Sequence, residues 1–261
     1  MKTNRLESLF GRKNRDILSI YFTCGFPKSD SMEETIRELA RGGVDMVEIG
    51  VPFSDPMADG PVIQHSSTIA LRNGMNLRLL LEQTKKARKI SEEMPFVLMG
   101  YLNPFMQYGF RKLFEDCREA GIDAMIVPDL PFEDYLSDFK PLCEEFGIPM
   151  IMLITPETSE DRVRLIDENC DGFIYMVSSA STTGTKDRFS DEQLDYFKRI
   201  DGLELKHPRL IGFGISNPDT LREAWCYSSG AIIGSLFIKC LERNNTVREA
   251  VEDLTKTLGI G

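Results

Sequence analysis

The feature that most constrains this chain is a recurrence of eight short apolar runs, each followed by a helical pattern. The runs fall at residues 18–23, 44–49, 96–99, 123–127, 149–154, 172–177, 209–212 and 230–233. Within them apolar residues follow one another without the alternation of a half-exposed strand, as expected of strands buried on both faces. Helices are predicted between them, for example one with Met32, Ile36 and Leu39 on one face, capped by Ser29 or Asp30. Others fall at 77–90, 108–119, 132–146, 159–168, 191–200 and from Pro218 to about Tyr227. The last runs through Ile238 and Leu241, breaks near Asn244-Asn245 and ends near Leu258. A charged helix over 2–13, ending at Gly11, precedes the first strand.

Eight βα units in 261 residues match the size of an α/β protein of the (β/α)8 TIM barrel class, here with an extra N-terminal helix. A doubly wound sheet is the alternative, but it has fewer strands and a G-x-G-x-x-G fingerprint that is absent here. No linker, low-complexity segment or composition shift divides the chain, so residues 1–261 read as one domain. With 42% hydrophobic and 28% charged residues, the chain can bury a sizeable core.

The 31 basic and 41 acidic residues give a net charge of −10, which argues against nucleic acid or an anionic membrane surface as a partner. A small anionic substrate stays compatible, because backbone N–H groups at a helix start can hold a phosphate. The six cysteines are scattered without a C-x-x-C pair and read as buried thiols in a reducing compartment. His65 and His207 do not form a metal-ligand pair by spacing, and no metal site is expected. The N-terminus lacks the apolar core of a signal peptide. The longest uncharged run, between Glu93 and Arg111, is interrupted by Pro95, Gly100 and Pro104 and reads as strand plus loop. A soluble, cytoplasmic protein is the expectation.

In a barrel of this class the active site lies at the C-terminal ends of the strands. The unusual residues cluster there: Glu48, Asp59, Asp129, Tyr175, Thr183-Gly184, Gly212-Phe213-Gly214 and Gly234-Ser235. Glu48 sits near the end of an apolar strand, where burial raises a carboxyl pKa toward the range useful for acid–base work. The strand breaks into a loop rich in Pro, Gly and Asp that holds Asp55 and Asp59. The ordinary readings are a half-buried Glu paired with Lys or Arg, and Asp as a turn former. Each glycine taken singly is a turn or a helix C-cap. Together, at the ends of strands six to eight, they match the phosphate site of such barrels.

With these residues in view, the chain resembles the tryptophan synthase alpha chain family along nearly its whole length. The most specific stretch is residues 48–64, from Glu48-Ile49-Gly50-Val51-Pro52-Phe53-Ser54-Asp55 to Gln64. Supporting stretches are Thr23-Cys24-Gly25-Phe26-Pro27, Tyr101-Leu102-Asn103-Pro104, Pro128-Asp129-Leu130-Pro131, Thr183-Gly184, Gly212-Phe213-Gly214-Ile215-Ser216 and Gly234-Ser235. The resemblance implies a lyase that cleaves indole-3-glycerol phosphate to indole and glyceraldehyde 3-phosphate. It implies no cofactor of its own. The partner implied is a beta chain carrying pyridoxal phosphate, in an alpha2beta2 heterotetramer.

It further implies Glu48 and Asp59 as catalytic, and Tyr21, Met99, Ile126, Tyr175, Thr183 and Ile232 around the substrate. Phosphate is implied at Gly184, Phe213, Gly214, Gly234 and Ser235. Thr183 belongs to a closing loop, and Asp55, Pro56 and Asn103 to stretches facing the beta chain. Two departures stand out. Tyr21 replaces a frequent Phe and brings a hydroxyl that needs a partner. Ala180-Ser181-Thr182 replaces a stretch in which a Gly-Val pair is frequent. Alternatives from the residues alone are another phosphate-binding barrel enzyme, such as a sugar-phosphate isomerase, a two-carboxylate hydrolase, or a non-catalytic subunit that activates a partner.

Overall fold

Eight parallel strands close on themselves in sequence order, so that β1 pairs with both β2 and β8. The computed structural model describes residues 4–178 and 188–260. The strands are β1 Ile17–Thr23, β2 Met46–Gly50, β3 Phe96–Met99, β4 Ala124–Ile126, β5 Met150–Ile154, β6 Ile174–Val177, β7 Arg209–Gly212 and β8 Gly230–Ile233. At least one helix lies between each pair of consecutive strands. The architecture is a (β/α)8 TIM barrel, and nearly every strand residue is buried, as the unbroken apolar runs require.

The N-terminal helix, Arg5–Arg12, buries Leu6 and Leu9. Arg5 reaches the Asp123 carboxylate just before β4, which also receives Arg88 and the backbone N–H of Phe96. These contacts tie the helix to the N-terminal end of the barrel, opposite the mouth. Gly11 lies inside this helix, and the chain leaves it at Lys13.

The structure departs from the sequence expectations in four places. A helix, Pro61–Arg72, occupies what reads as the end of a long loop and beyond; Pro61 opens it, where a missing N–H costs nothing. A second, Leu102–Tyr108, holds Pro104 within its first turn and is separated by Gly109 (φ 91°) from the helix Phe110–Ala120. The segment 132–146 is helical but passes through a π-type stretch, Tyr135–Phe139, just ahead of Pro141, which cannot donate to the i−4 carbonyl. Finally, Cys226 is exposed, whereas Cys24, Cys117, Cys143, Cys170 and Cys240 are buried as read.

Candidate active site

Pairing register decides which strand residues face the barrel axis. Tyr21 and Val97 flank Glu48 in register; Met99 pairs with Gly50 and Ile126; Gly212 pairs with Ile232, and Ile232 with Ser19. Because side chains alternate along a strand, these positions share one face. Tyr21, Glu48, Met99, Ile126, Tyr175 and Ile232 therefore belong to the same inward set. Ser19, Tyr21 and Thr23 form an inward line of hydroxyls along β1.

Glu48 is completely buried. Its Oε1 accepts a hydrogen bond from Ser19 Oγ at 3.3 Å, while Oε2 is buried with no partner. Burial pushes the carboxyl up to about 8, and the Ser19 hydroxyl pulls it partly back. Among the described residues no Lys or Arg pairs with it, which sets aside the ordinary reading of a Glu neutralised by a surface cation. At neutral pH Glu48 is a protonated acid held in an apolar wall.

Asp59 stands on the loop between β2 and the helix Pro61–Arg72. Tyr101, two residues beyond β3, donates from its Oη to Asp59 Oδ2 at 2.8 Å and accepts from the Ala58 backbone N–H at 3.1 Å. Its ring packs on Phe53, with centroids 5.3 Å apart. Gln64 holds the Asp59 carbonyl at 2.8 Å. Burial raises the Asp59 carboxyl to about 6, opposed by the Tyr101 hydrogen bond. The buried phenols Tyr21 and Tyr175 feel the charges of both Asp59 and Glu48, which raise their pKa values further above the ordinary range. Tyr21 and Tyr175 thus stand within electrostatic reach of both carboxylates.

Two strand glycines make room for the phenols. A Cβ on Gly50 would lie 2.2 Å from the Tyr21 hydroxyl oxygen, and one on Gly212 would lie 2.3 Å from that of Tyr175. The extra hydroxyl of Tyr21 meets Thr23 Oγ1 at 3.5 Å; Thr23 in turn bonds Ser66 Oγ at 2.6 Å, and Ser66 donates to the Ile63 carbonyl. Since Ser66 has one proton and gives it to Ile63, the chain of donors runs outward from Tyr21.

On the opposite side of the mouth, Phe213 (φ 71°) and Gly214 (φ 78°) form consecutive left-handed residues after β7. Ser178 Oγ holds the Phe213 carbonyl at 2.7 Å. The helix Ser235–Arg243 begins directly after β8 and Gly234, without a side-chain cap, so its first N–H groups are open. Ser235 and Gly214 are both exposed. Thr183 and Gly184, with Ala180-Ser181-Thr182, lie outside the described residues.

Several sequence expectations resolve differently. Asp129 is a helix-start acceptor, taking the Leu102 N–H at 2.9 Å. Asp55 and Asn103 are exposed, but Pro56 is buried. Tyr101 and Ser19, which hold the two carboxylates, were not singled out as site residues; Tyr101 lies 42 residues from its partner and Ser19 lies 29 from its own. Among the described residues no cluster of three His, Cys, Asp or Glu could hold a metal.

A parallel eight-stranded barrel with a buried carboxyl raised toward its protonated form on β2, and a second raised carboxyl on the loop that follows, has the groups of a barrel enzyme of the acid–base type. The family model described as tryptophan synthase alpha chain matches residues 8–259. The tryptophan synthase alpha chain of Phocaeicola vulgatus is 54% identical over 256 residues, covering 98% of this chain and 99% of the relative. That of Parabacteroides distasonis is 52% identical over 255 residues, covering 98% and 99%. Among solved structures, tryptophan synthase subunit alpha from Legionella pneumophila superposes with a TM-score of 0.87 at 30% identity, over 98% of this chain and 97% of that one. A structure of Mycobacterium tuberculosis tryptophan synthase gives 0.87 at 27% identity, over 100% of both chains. The chain belongs to the tryptophan synthase alpha chain family.

Proposed function

We propose that this chain cleaves indole-3-glycerol phosphate to indole and glyceraldehyde 3-phosphate, with Glu48 as the acid and base of the reaction. The observation that carries this reading is the Glu48 carboxyl: fully buried, raised toward the protonated form by that burial, and with Oε2 unpartnered. In the first step Glu48 gives its proton to ring carbon 3. Positive charge then builds on the ring nitrogen, and Asp59, held by Tyr101, accepts the ring N–H as that charge grows. In the second step the Glu48 carboxylate removes the proton of the side-chain hydroxyl next to ring carbon 3. The bond between that ring carbon and the side chain breaks, its electron pair returns to the ring and the aldehyde forms. Glu48 ends protonated, ready for another turnover.

Tyr21, Met99, Ile126 and Ile232 pack around the indole ring, and Tyr175 faces the side-chain hydroxyls. The amide groups of Phe213, Gly214, Gly234 and Ser235 hold the phosphate. The chain works in the cytoplasm without a cofactor of its own, beside a beta chain that carries pyridoxal phosphate in an alpha2beta2 assembly. Family membership and the absence of any described helix long and apolar enough to cross a membrane support this placement.

The test is to incubate the purified chain with indole-3-glycerol phosphate and follow indole release, alone and with a beta chain. Slow release alone and much faster release with the partner are expected. No release in either condition overturns the reading.

A further inference from the structure

We propose that Ser19 is a positioning residue that decides which oxygen of Glu48 carries the reacting proton. Ser19 lies on the inward line of β1, one register step from Tyr21, and its hydroxyl points at Glu48 Oε1. This inference rests on the acid–base role proposed above for Glu48.

A protonated carboxyl has one carbonyl-type oxygen, a good acceptor, and one hydroxyl oxygen that carries the proton. Ser19 Oγ has no other partner among the described residues, so its proton goes to Oε1 at 3.3 Å. That makes Oε1 the carbonyl oxygen. The acid proton is left on Oε2, the atom with no partner. The arrangement keeps the proton on the oxygen that Ser19 does not occupy. Once the proton has left, the same hydroxyl stabilises the carboxylate on Oε1 and leaves Oε2 as the base. One hydrogen bond therefore serves both halves of the cycle without Ser19 touching the substrate.

The groups that face Glu48 are few. β1 brings Ser19 and Tyr21, and β6 brings Tyr175. The loop after β2 brings Asp59, which acts on the same two phenols. β3 brings Phe96-Val97-Leu98-Met99, with nothing that titrates. Among the described residues the Ser19 hydroxyl is thus the one hydrogen bond that favours the charged form of Glu48.

The experiment compares Ser19→Ala, Ser19→Cys and Ser19→Thr with the parent chain and Glu48→Gln, all in complex with a beta chain. In Ser19→Ala the alkaline limb of kcat for indole release is expected to move up by about half a pH unit. kcat is expected to fall about tenfold with KM nearly unchanged, as befits loss of transition-state positioning. Ser19→Cys, close in size but a weak donor, should behave like Ser19→Ala, and Ser19→Thr should restore the parent profile. The infrared C=O stretch of protonated Glu48, identified by subtracting the Glu48→Gln spectrum, should rise in frequency in Ser19→Ala. A lower kcat with an unmoved pH limb and an unmoved C=O band would mean a merely structural role and overturn the inference. If those readouts stay put while Glu48→Gln is inactive, the Ser19 inference alone fails. If Glu48→Gln keeps its rate, the acid–base reading fails and this one with it.

Discussion

Glu48 explains why one buried side chain can be both a liability and the centre of the chemistry. An unfolded Glu titrates near about 4.3, while in the fold burial holds this one at about 8. Between those values the folded state binds more protons than the unfolded one, so this group's contribution to stability falls as pH rises through that window and levels off above it. Glu48→Gln removes the titration. The variant is expected to gain stability over the parent by up to about 1.4 kcal/mol for each pH unit between roughly pH 5 and 8. Urea unfolding at a series of pH values reads this directly, and a constant difference across the range would contradict the buried, shifted carboxyl. With Glu48 as the proposed acid, activity is expected to fall as pH rises through about 8, because the first step needs the acid form, and a pH–rate profile of indole release checks this.

At the scale of elements, the mouth is assembled from strand ends and the first turns of helices, and each end has a distinct task. In the proposed site the uncapped helix Ser235–Arg243 and the positive-φ pair Phe213-Gly214 supply amide groups rather than cations. Ser235→Asp puts a carboxylate where the phosphate belongs. It should raise KM for the phosphorylated substrate about tenfold or more while stabilising the helix start by about 0.3–1 kcal/mol. Kinetics and thermal melting together check the opposed signs; an unchanged KM would remove this helix from the phosphate site. The strands were legible in the sequence because burial on both faces leaves unbroken apolar runs, and Gly43-Val44-Asp45, Gly121-Ile122-Asp123 and Asp171-Gly172 mark where three of them begin. The helix Pro61–Arg72 was not, since its buried face includes Ser66 and Ser67 alongside Ile63 and Ala70 and lacks an apolar stripe. Glu48 and Asp59 stood out as carboxylates at a strand end and in a Pro/Gly loop. Their holders did not, because Ser19 and Tyr101 become meaningful only when β1, β2 and β3 are laid side by side.

The whole molecule is a closed sheet whose ends have separate duties. Below, the Arg5–Asp123–Arg88 cluster ties the N-terminal helix to the barrel and leaves the chemistry untouched. Above, in the proposed mechanism, β1 supplies the hydroxyls, β2 the acid, β3 and its following turn the support for Asp59, β6 a phenol, and β7 and β8 the anion seat. Closure brings these together although they come from residues 19 to 235 of the chain. Parallel pairing in sequence order also places all eight C-terminal strand ends on one rim, so a single cavity can receive a ring, a hydroxylated side chain and a phosphate at once. The most direct measurement is indole release by Glu48→Gln in complex with a beta chain, with the affinity for a non-cleavable analogue lacking the side-chain hydroxyls measured alongside. A rate lower by about a thousandfold with affinity within about twofold is expected, since Gln keeps the shape but can neither give nor take the proton. A variant that binds the analogue normally and retains a rate within about tenfold of the parent would show that the proton comes from elsewhere.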